Sequence, residues 1–198
     1  LLSVDNANSQ ENKAAAPNGA SQARSEHFYT LPKVNVLRGD GKRMTFTSAI
    51  DDGRPVLLNF IYTACSAVCP VTSQVFVEVR ERLGAEREKF NMVSISIDPE
   101  EDSPAQLTAY ADRFGRAGAW PHFTSTSADS VAIQRAFGAW LGDKMNHQPI
   151  TYFRPSPGKA WVRLDGFYSP SAIISEIRKT TLAAAAAGPC GNDTKNTA

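Results

Sequence analysis

The chain has 198 residues, of which 42% are hydrophobic and 21% charged, and its formal net charge at pH 7 is +1. No apolar run is long enough to cross a bilayer as a helix, and the Lys and Arg residues form no basic stripe that would neutralise phosphates. Length and composition therefore fit one globular domain and exclude nucleic acid as an expected partner.

The two ends of the chain differ in composition from its middle. Residues 1–26 are rich in Asn, Ser, Ala, Gln and Gly and have almost no large apolar side chain after Leu1 and Leu2. This composition predicts a flexible leader. Because the chain starts at Leu1 rather than Met, we expect that a signal peptide or membrane anchor preceded it and that the leader serves as a tether. We expect a folded domain over residues 27–187 and a disordered tail over residues 188–198.

The first half of the domain begins with patterns that are typical of strands. Residues 34–37 and 43–47 read as a small hairpin across the Gly-containing segment 38–41, and we expect this hairpin at an edge of the sheet. Residues 56–62 form a nearly continuous apolar run of strand length, which is typical of a central strand covered on both faces.

The rest of the domain alternates helical and extended patterns. Ser103, Pro104 and Gln106 supply an N-cap, a proline in the first turn and a capping-box partner. The predicted elements, in chain order, are a helix from Pro70 to Leu83, a strand over 90–97, helices over 104–114 and 127–141, a hairpin of 150–153 with 160–164, and a last helix after Pro170 that stops at Gly188.

This order is βαβ followed by ββα with one inserted helix, which is the order of a thioredoxin-like fold. The predicted fold class is therefore α/β, with a mixed central sheet flanked by helices and an N-terminal β-hairpin. In such a sheet, the loop that leaves a central strand lies at the carboxyl edge of the strands, where ligands collect. Cys65 and Cys69 occupy that loop.

Cysteines four residues apart at the start of a helix can place both sulfurs on one side of the first turn. In that position they can share a metal ion or, with local adjustment, form a disulfide. The unpaired N–H groups and the dipole at the helix start stabilise thiolate, the form that binds metals and attacks disulfides. The spacing of Cys65 and Cys69 therefore leaves two chemistries open.

Three blocks of sequence resemble the Sco/SenC family of copper proteins. They are FIYTACSAVCP at residues 60–70, SIDPEEDSP at residues 96–104 and NHQPITYF at residues 146–153. The resemblance covers roughly residues 30 to 182, and the three blocks occur in the same order as in the family.

The resemblance implies one copper ion per chain, Cu(I) or Cu(II), held by Cys65, Cys69 and His147, with Asp98 in supporting contact. Soft thiolates select Cu(I), and an imidazole also suits Cu(II), so this ligand set can hold both oxidation states. Ser66 and Asn146 depart from residues common in the family, and these departures bear on affinity more than on the identity of the ligands.

The resemblance further implies a metallochaperone or thiol reductant that helps to build the binuclear copper centre of cytochrome c oxidase, and not a turnover enzyme. The expected partners are the copper-bearing subunit of that oxidase and a copper donor chaperone. We expect a monomer in the bacterial periplasm or an equivalent space, tethered to the inner membrane by a segment absent from this chain.

The alternative is a thiol-disulfide oxidoreductase or redox sensor, in which Cys65 and Cys69 are the redox pair and no copper is needed. A peroxidase of the same fold is a weaker third option. His147 favours copper, because disulfide exchange needs no imidazole opposite the thiols.

Other residues with reactive side chains have simpler interpretations. His27 and His122 read as surface or structural groups, and Cys190 lies in the polar tail with no nearby partner. Asp98 can equally belong to a turn before a helix. Met145, two residues before His147, offers a thioether, but a methionine near a loop usually serves packing.

Overall fold

One mixed sheet of eight strands runs through the computed structural model, which describes residues 22–115 and 120–186. The strands are β1 (Ala23–His27), β2 (Asn35–Arg38), β3 (Arg43–Thr45), β4 (Val56–Ile61), β5 (Asn91–Ser96), β6 (His122–Thr124), β7 (Ile150–Arg154) and β8 (Trp161–Asp165). Their order across the sheet is β1-β8-β7-β4-β5-β6-β2-β3.

Strand β4 lies in the middle of the sheet, as its apolar run predicted. All six of its residues are buried, and it pairs in parallel with β5 and antiparallel with β7. Strand β6 continues the parallel part, and the hairpin of β2 and β3 forms one edge. The predicted βαβ and ββα halves and the edge hairpin are therefore present.

Five α-helices accompany these strands in the described part of the chain. They are α1 (Phe46–Ile50), α2 (Val68–Leu83), α3 (Pro104–Asp112), α4 (Ser127–Ala136) and α5 (Pro170–Ala186). Short 3₁₀ segments cover Gly84–Lys89 and Lys144–Asn146. No helix among the described residues is long and apolar enough to span a membrane.

Several helix ends follow from local chemistry. Ser103 and Gln106 make the predicted capping box at the start of α3. Helix α4 ends at Ala136 rather than at residue 141, because the chain turns through Gly138 at φ 62°, a conformation that glycine adopts without steric cost. Helix α1 was not predicted; Thr45 caps it by accepting a hydrogen bond from the Ser48 N–H.

The prediction of a flexible leader over residues 1–26 was wrong for residues 23–26. Ala23–His27 form strand β1, which pairs antiparallel with β8 in a register that sets Ala23 opposite Asp165. Four of the five residues are exposed, so backbone pairing at the edge of β8 holds the strand without an apolar pattern. Residues 1–21, the tail 188–198 and Cys190 lie outside the described residues.

The sheet has an apolar core on each face and a third cluster at one end. Alternate residues of β4 supply both faces, with Leu58 and Phe60 packing near α1 and α4 and Leu57 packing near α2 and α5. The third cluster lies at the end of β4 and consists of Ile61, Tyr62, Cys65, Cys69, Leu107 and Tyr110. The two cysteines are therefore part of the packed interior at the carboxyl edge of the parallel strands.

Candidate metal centre

Cys65 and Cys69 lie where β4 gives way to α2. Cys65 is 7% exposed and Cys69 is fully buried, and both thiols are free. The residue before α2 is Ala67, which has no side chain to cap the helix. The Cys65 sulfur takes that place, because it accepts a hydrogen bond from the Cys69 N–H at 3.2 Å. The predicted position of the thiol pair at a helix start is what the structure shows.

The two thiols differ in acidity. Burial raises the pKa of Cys65, but hydrogen bonds from the Cys69 side chain, from the Cys69 and Ala67 amides and from Tyr62 outweigh it, so the net shift is downward. Burial raises the pKa of Cys69, and the hydrogen bond with Cys65 raises it further. Cys65 is therefore the thiol that ionises first, and Cys69 keeps its proton.

A buried carboxylate fixes the loop that carries the thiols. Asp102 is fully buried and accepts hydrogen bonds from the Thr63 N–H at 3.1 Å, the Thr63 hydroxyl at 2.5 Å and the Ser96 hydroxyl at 2.6 Å. These bonds connect the end of β4 to the end of β5. Asp102 was not among the predicted site residues, because nothing distinguishes it from its acidic neighbours in the sequence.

Asp98 belongs to a second connection. Its carboxylate lies 2.6 Å from the Lys144 ammonium, and the residue is only 8% exposed. Lys144 begins the short 3₁₀ segment that leads into His147, so the ion pair ties the loop after β5 to the segment that carries the predicted imidazole ligand. The structure thus connects Asp98 to the ligand segment, and its supporting role toward a metal stays a prediction.

His147 is half-buried, and its Nε2 faces the backbone carbonyl oxygen of Phe60 at 3.1 Å. Because a carbonyl oxygen only accepts, Nε2 carries the proton, and the lone pair of the neutral ring is therefore on Nδ1. Burial lowers the pKa of His147, which keeps the imidazole neutral near pH 7. The ring also packs edge-on against Tyr62, with centroids 6.2 Å apart.

Within the residues described, no three His, Cys, Asp or Glu side chains are close enough together to hold a metal ion. The structure brings two of the three predicted ligands together and leaves the third apart. Tyr62 contacts both parts, since its ring packs on His147 and its hydroxyl hydrogen-bonds to Cys65. The thiol pair suits a soft metal, and the hydrogen bond to the Phe60 carbonyl fixes the His147 tautomer that leaves Nδ1 as the nitrogen able to bind one.

The other two histidines occupy ordinary positions. His122 is 4% exposed, its Nδ1 lies 3.1 Å from the Trp120 carbonyl oxygen, and burial lowers its pKa to about 4. His27 lies exposed on β1, with its Nε2 2.8 Å from the Ser25 hydroxyl. These positions agree with the structural and surface roles expected for them.

The model of the SCO1/SenC family matches residues 36–182, and the chain therefore belongs to that family. The SCO1 protein homolog of Bacillus subtilis is 29% identical over 173 residues, which make up 82% of this chain and 89% of that protein. This membership confirms the resemblance seen in the three sequence blocks.

Solved structures agree on the fold. BsSco, a member of the Sco family of cytochrome c oxidase assembly proteins with a disulfide switch, is 25% identical with a TM-score of 0.65, covering 80% of this chain and 96% of that chain. Copper-bound ScoI of Bradyrhizobium japonicum is 22% identical with a TM-score of 0.62, and the match covers 74% of this chain and 96% of ScoI. A SCO1/SenC lipoprotein of Bacillus anthracis is 21% identical with a TM-score of 0.67, covering 78% and 96%. The predicted thioredoxin-like fold is confirmed.

Proposed function

We propose that this protein binds one copper ion through Cys65, Cys69 and His147 and assists in building the binuclear copper centre of cytochrome c oxidase, as a metallochaperone or as a thiol reductant. The observation that carries the proposal is the pair of free thiols at the start of α2, one poised to ionise and one fully buried. Family membership, the copper held by ScoI and the assembly role stated for BsSco support it.

The donor set suits copper in both oxidation states. Thiolates favour Cu(I), an imidazole extends the set to Cu(II), and copper bound there supplies a one-electron couple. Cys65 binds as the thiolate that its surroundings already favour, whereas Cys69 has to release a proton. Copper uptake should therefore liberate protons.

We assign the expected partners and location to the same proposal. The partners are the copper-bearing subunit of the oxidase and a copper donor chaperone, and the protein acts as a monomer in the bacterial periplasm or an equivalent extracytoplasmic space. The lipoprotein of Bacillus anthracis supports a tether to the membrane.

The alternative function is a thiol-disulfide oxidoreductase or redox sensor. The inequality of the thiols favours it, because a thiol of lowered pKa beside a fully buried thiol of raised pKa suits attack on a disulfide followed by resolution of the mixed disulfide. The separation of His147 from the thiols also fits this function, which needs no imidazole.

Anaerobic copper titration of the reduced protein separates the two functions. We expect one copper per chain after desalting, loss of at least about a hundredfold in affinity in Cys65→Ser and Cys69→Ser, and a loss in His147→Ala that falls mainly on Cu(II). His27→Ala, which removes an exposed histidine from β1, is the matched control.

Stoichiometric copper in both serine variants would overturn the proposal. Efficient reduction of a model disulfide by copper-free protein, unchanged in His147→Ala and without His147-dependent Cu(II) binding, would favour the oxidoreductase.

A further inference from the structure

Large apolar side chains are exposed around the candidate site. Trp140, Leu141 and Met145 lie on the segment that leads to His147, and they are 36%, 47% and 74% exposed. Val71, in the first turn of α2, is 48% exposed. We call these four side chains the apolar rim. They are four of the six large hydrophobic residues that are exposed in the described part of the chain.

Contacts connect the apolar rim to the candidate ligands. The Tyr62 hydroxyl donates a hydrogen bond to the Met145 Sδ, with 3.9 Å between oxygen and sulfur, and the Tyr62 ring packs on His147. Trp140, Leu141 and His147 line one small cavity. The exposed side chains of this segment therefore border the imidazole directly.

The other two exposed hydrophobic residues lie away from the site. Phe28 follows β1 and Leu182 lies on α5, and neither element contributes a residue to the cluster around the thiols. Single exposed hydrophobic residues are common and need no explanation. A group of them beside one site, by contrast, is typical of a surface that binds another protein.

The burial of the thiols requires direct contact with any protein that exchanges a metal with them. Cys65 is 7% exposed and Cys69 is fully buried. A metal ion passes between proteins only when ligands of both lie within bonding distance, which is about 2.3 Å for a metal and a sulfur. A partner therefore has to contact the residues that surround the thiols, and the apolar rim is among them.

The charges beside the apolar rim are mixed. Lys144 pairs with Asp98, and the Arg135 guanidinium lies over the Trp140 ring, 5.8 Å from its centroid. Asp143 caps the short 3₁₀ segment between them. Because cations and carboxylates alternate here, no strong field of one sign selects a partner. Apolar contact is the property that the surface offers.

We propose that the apolar rim is the docking surface for the copper-bearing subunit of cytochrome c oxidase, which meets it with an apolar surface around its own metal ligands. This inference rests on the proposed function. The subunit is preferred to a copper donor because BsSco, which shares this fold, is a cytochrome c oxidase assembly protein. Residues 140–148 are held by few contacts, so a partner docked on them can shift them and reach the thiols.

The test measures the affinity of the reduced, copper-loaded protein for the purified, copper-free subunit by biolayer interferometry under anaerobic conditions. Leu141→Ser and Met145→Ser change the apolar rim. Leu182→Ser is the matched control, because it makes the same change at an exposed leucine on α5. The Cu(I) affinity of each variant is measured in parallel by competition with a Cu(I) chelator.

We expect Leu141→Ser and Met145→Ser to bind the subunit about tenfold more weakly than the wild type, and Leu182→Ser to bind it equally well. Cu(I) affinity should stay within about twofold in all three, since none of them removes a proposed ligand. Raising the salt from about 0.1 M to about 0.5 M should change the wild-type affinity for the subunit by less than about threefold. Amide hydrogen exchange over residues 140–146 should slow in the complex.

Equal affinity for the subunit in Leu141→Ser, Met145→Ser and the wild type would overturn the docking surface alone, provided that copper still depends on the cysteines. If the wild type bound a copper donor chaperone through the apolar rim but did not bind the subunit, the choice of partner would be wrong. Absence of cysteine-dependent copper in the wild type would overturn the proposed function as well.

Discussion

The two halves of the candidate site are held in different ways. The thiol half, residues 62–69, follows a fully buried strand and contributes Tyr62, Cys65 and Cys69 to an apolar cluster. The imidazole half, residues 140–148, is exposed at every position except His147. Its connections to the rest of the site are the Lys144–Asp98 ion pair, the His147 bond to Phe60 and the Tyr62 bond to Met145.

This difference indicates which half sets the geometry. Residues with many buried contacts open only with much of the core, whereas segments held by few surface contacts open at low free energy. The thiol pair is therefore preset by the core, and the segment that carries His147 can move relative to it. That division suits a centre that has to accept more than one oxidation state of one metal.

The largest expected effect lies in the thiol half. Asp102→Ala should lower the free energy of unfolding by roughly 4 kcal/mol, because it removes a charged acceptor and leaves the donors of part-buried Thr63 and buried Ser96 unpaired. Urea unfolding of the reduced protein measures the loss, and Asp102→Asn provides a milder variant if the alanine protein does not fold.

Asp112→Ala, at an exposed position at the end of α3, is the control for Asp102→Ala and should change stability by less than about 0.5 kcal/mol. A loss below about 1 kcal/mol in Asp102→Ala would mean that the thiol half is not anchored by this carboxylate.

Acid should lower the stability of the protein through His122 in the core more than through His147 at the candidate site. His122 has a pKa of about 4 in the folded protein and 6.5 as its ordinary value. Between these values the unfolded chain binds a proton that the folded chain does not, so stability falls as the pH drops below about 6.5, by about 3 kcal/mol at pH 4. Stability above that range is unaffected by this group.

Urea unfolding at pH 7 and pH 4 tests the assignment to His122. His122→Phe should lose about 3 kcal/mol less than the wild type on acidification. His147→Ala should retain most of the acid effect, because the segment around His147 can open and take up a proton without unfolding the core. If the loss of stability between pH 7 and pH 4 were reduced more in His147→Ala than in His122→Phe, the comparison of the two halves would be contradicted.

The smallest expected effect lies in the imidazole half. Lys144→Gln removes an ion pair in which the Lys144 side chain is 41% exposed, so the midpoint of urea unfolding should not change measurably. The local effect should be visible as faster amide hydrogen exchange over residues 144–147, measured by mass spectrometry.

Lys42→Gln, at an exposed position beside the β2–β3 hairpin, is the control for Lys144→Gln and should leave that exchange unchanged. A clear fall in the midpoint of urea unfolding of Lys144→Gln would show that the imidazole half is as firmly anchored as the thiol half.

The elements that could be predicted share a local cause. An apolar run predicts strand β4, and the capping residues Ser103 and Gln106 predict the start of α3. The position of Cys65 and Cys69 follows from the strand before them and the helix after them. Each of these features depends on residues that are close together in the sequence, where side-chain periodicity and capping act.

The elements that escaped prediction depend on contacts between distant residues. Strand β1 is held by backbone pairing with β8, about 140 residues away, and its side chains carry no apolar pattern. Asp102 has the same side chain as Asp98, yet the fold buries it under the thiol loop and leaves Asp98 to pair with Lys144. Burial and partner assignment for such residues are decided by packing.

The sequence by itself determined the fold class, the family and the identity of the two thiols, because strand periodicity, capping and the spacing of Cys65 and Cys69 are local properties of the chain. Only the tertiary structure decided that Cys69 is the more deeply buried thiol, that Tyr62 contacts both Cys65 and His147, and that the Phe60 carbonyl accepts the His147 Nε2–H. The physical reason is that these relations join residues about 80 positions apart, whose distances depend on how the sheet and loops pack.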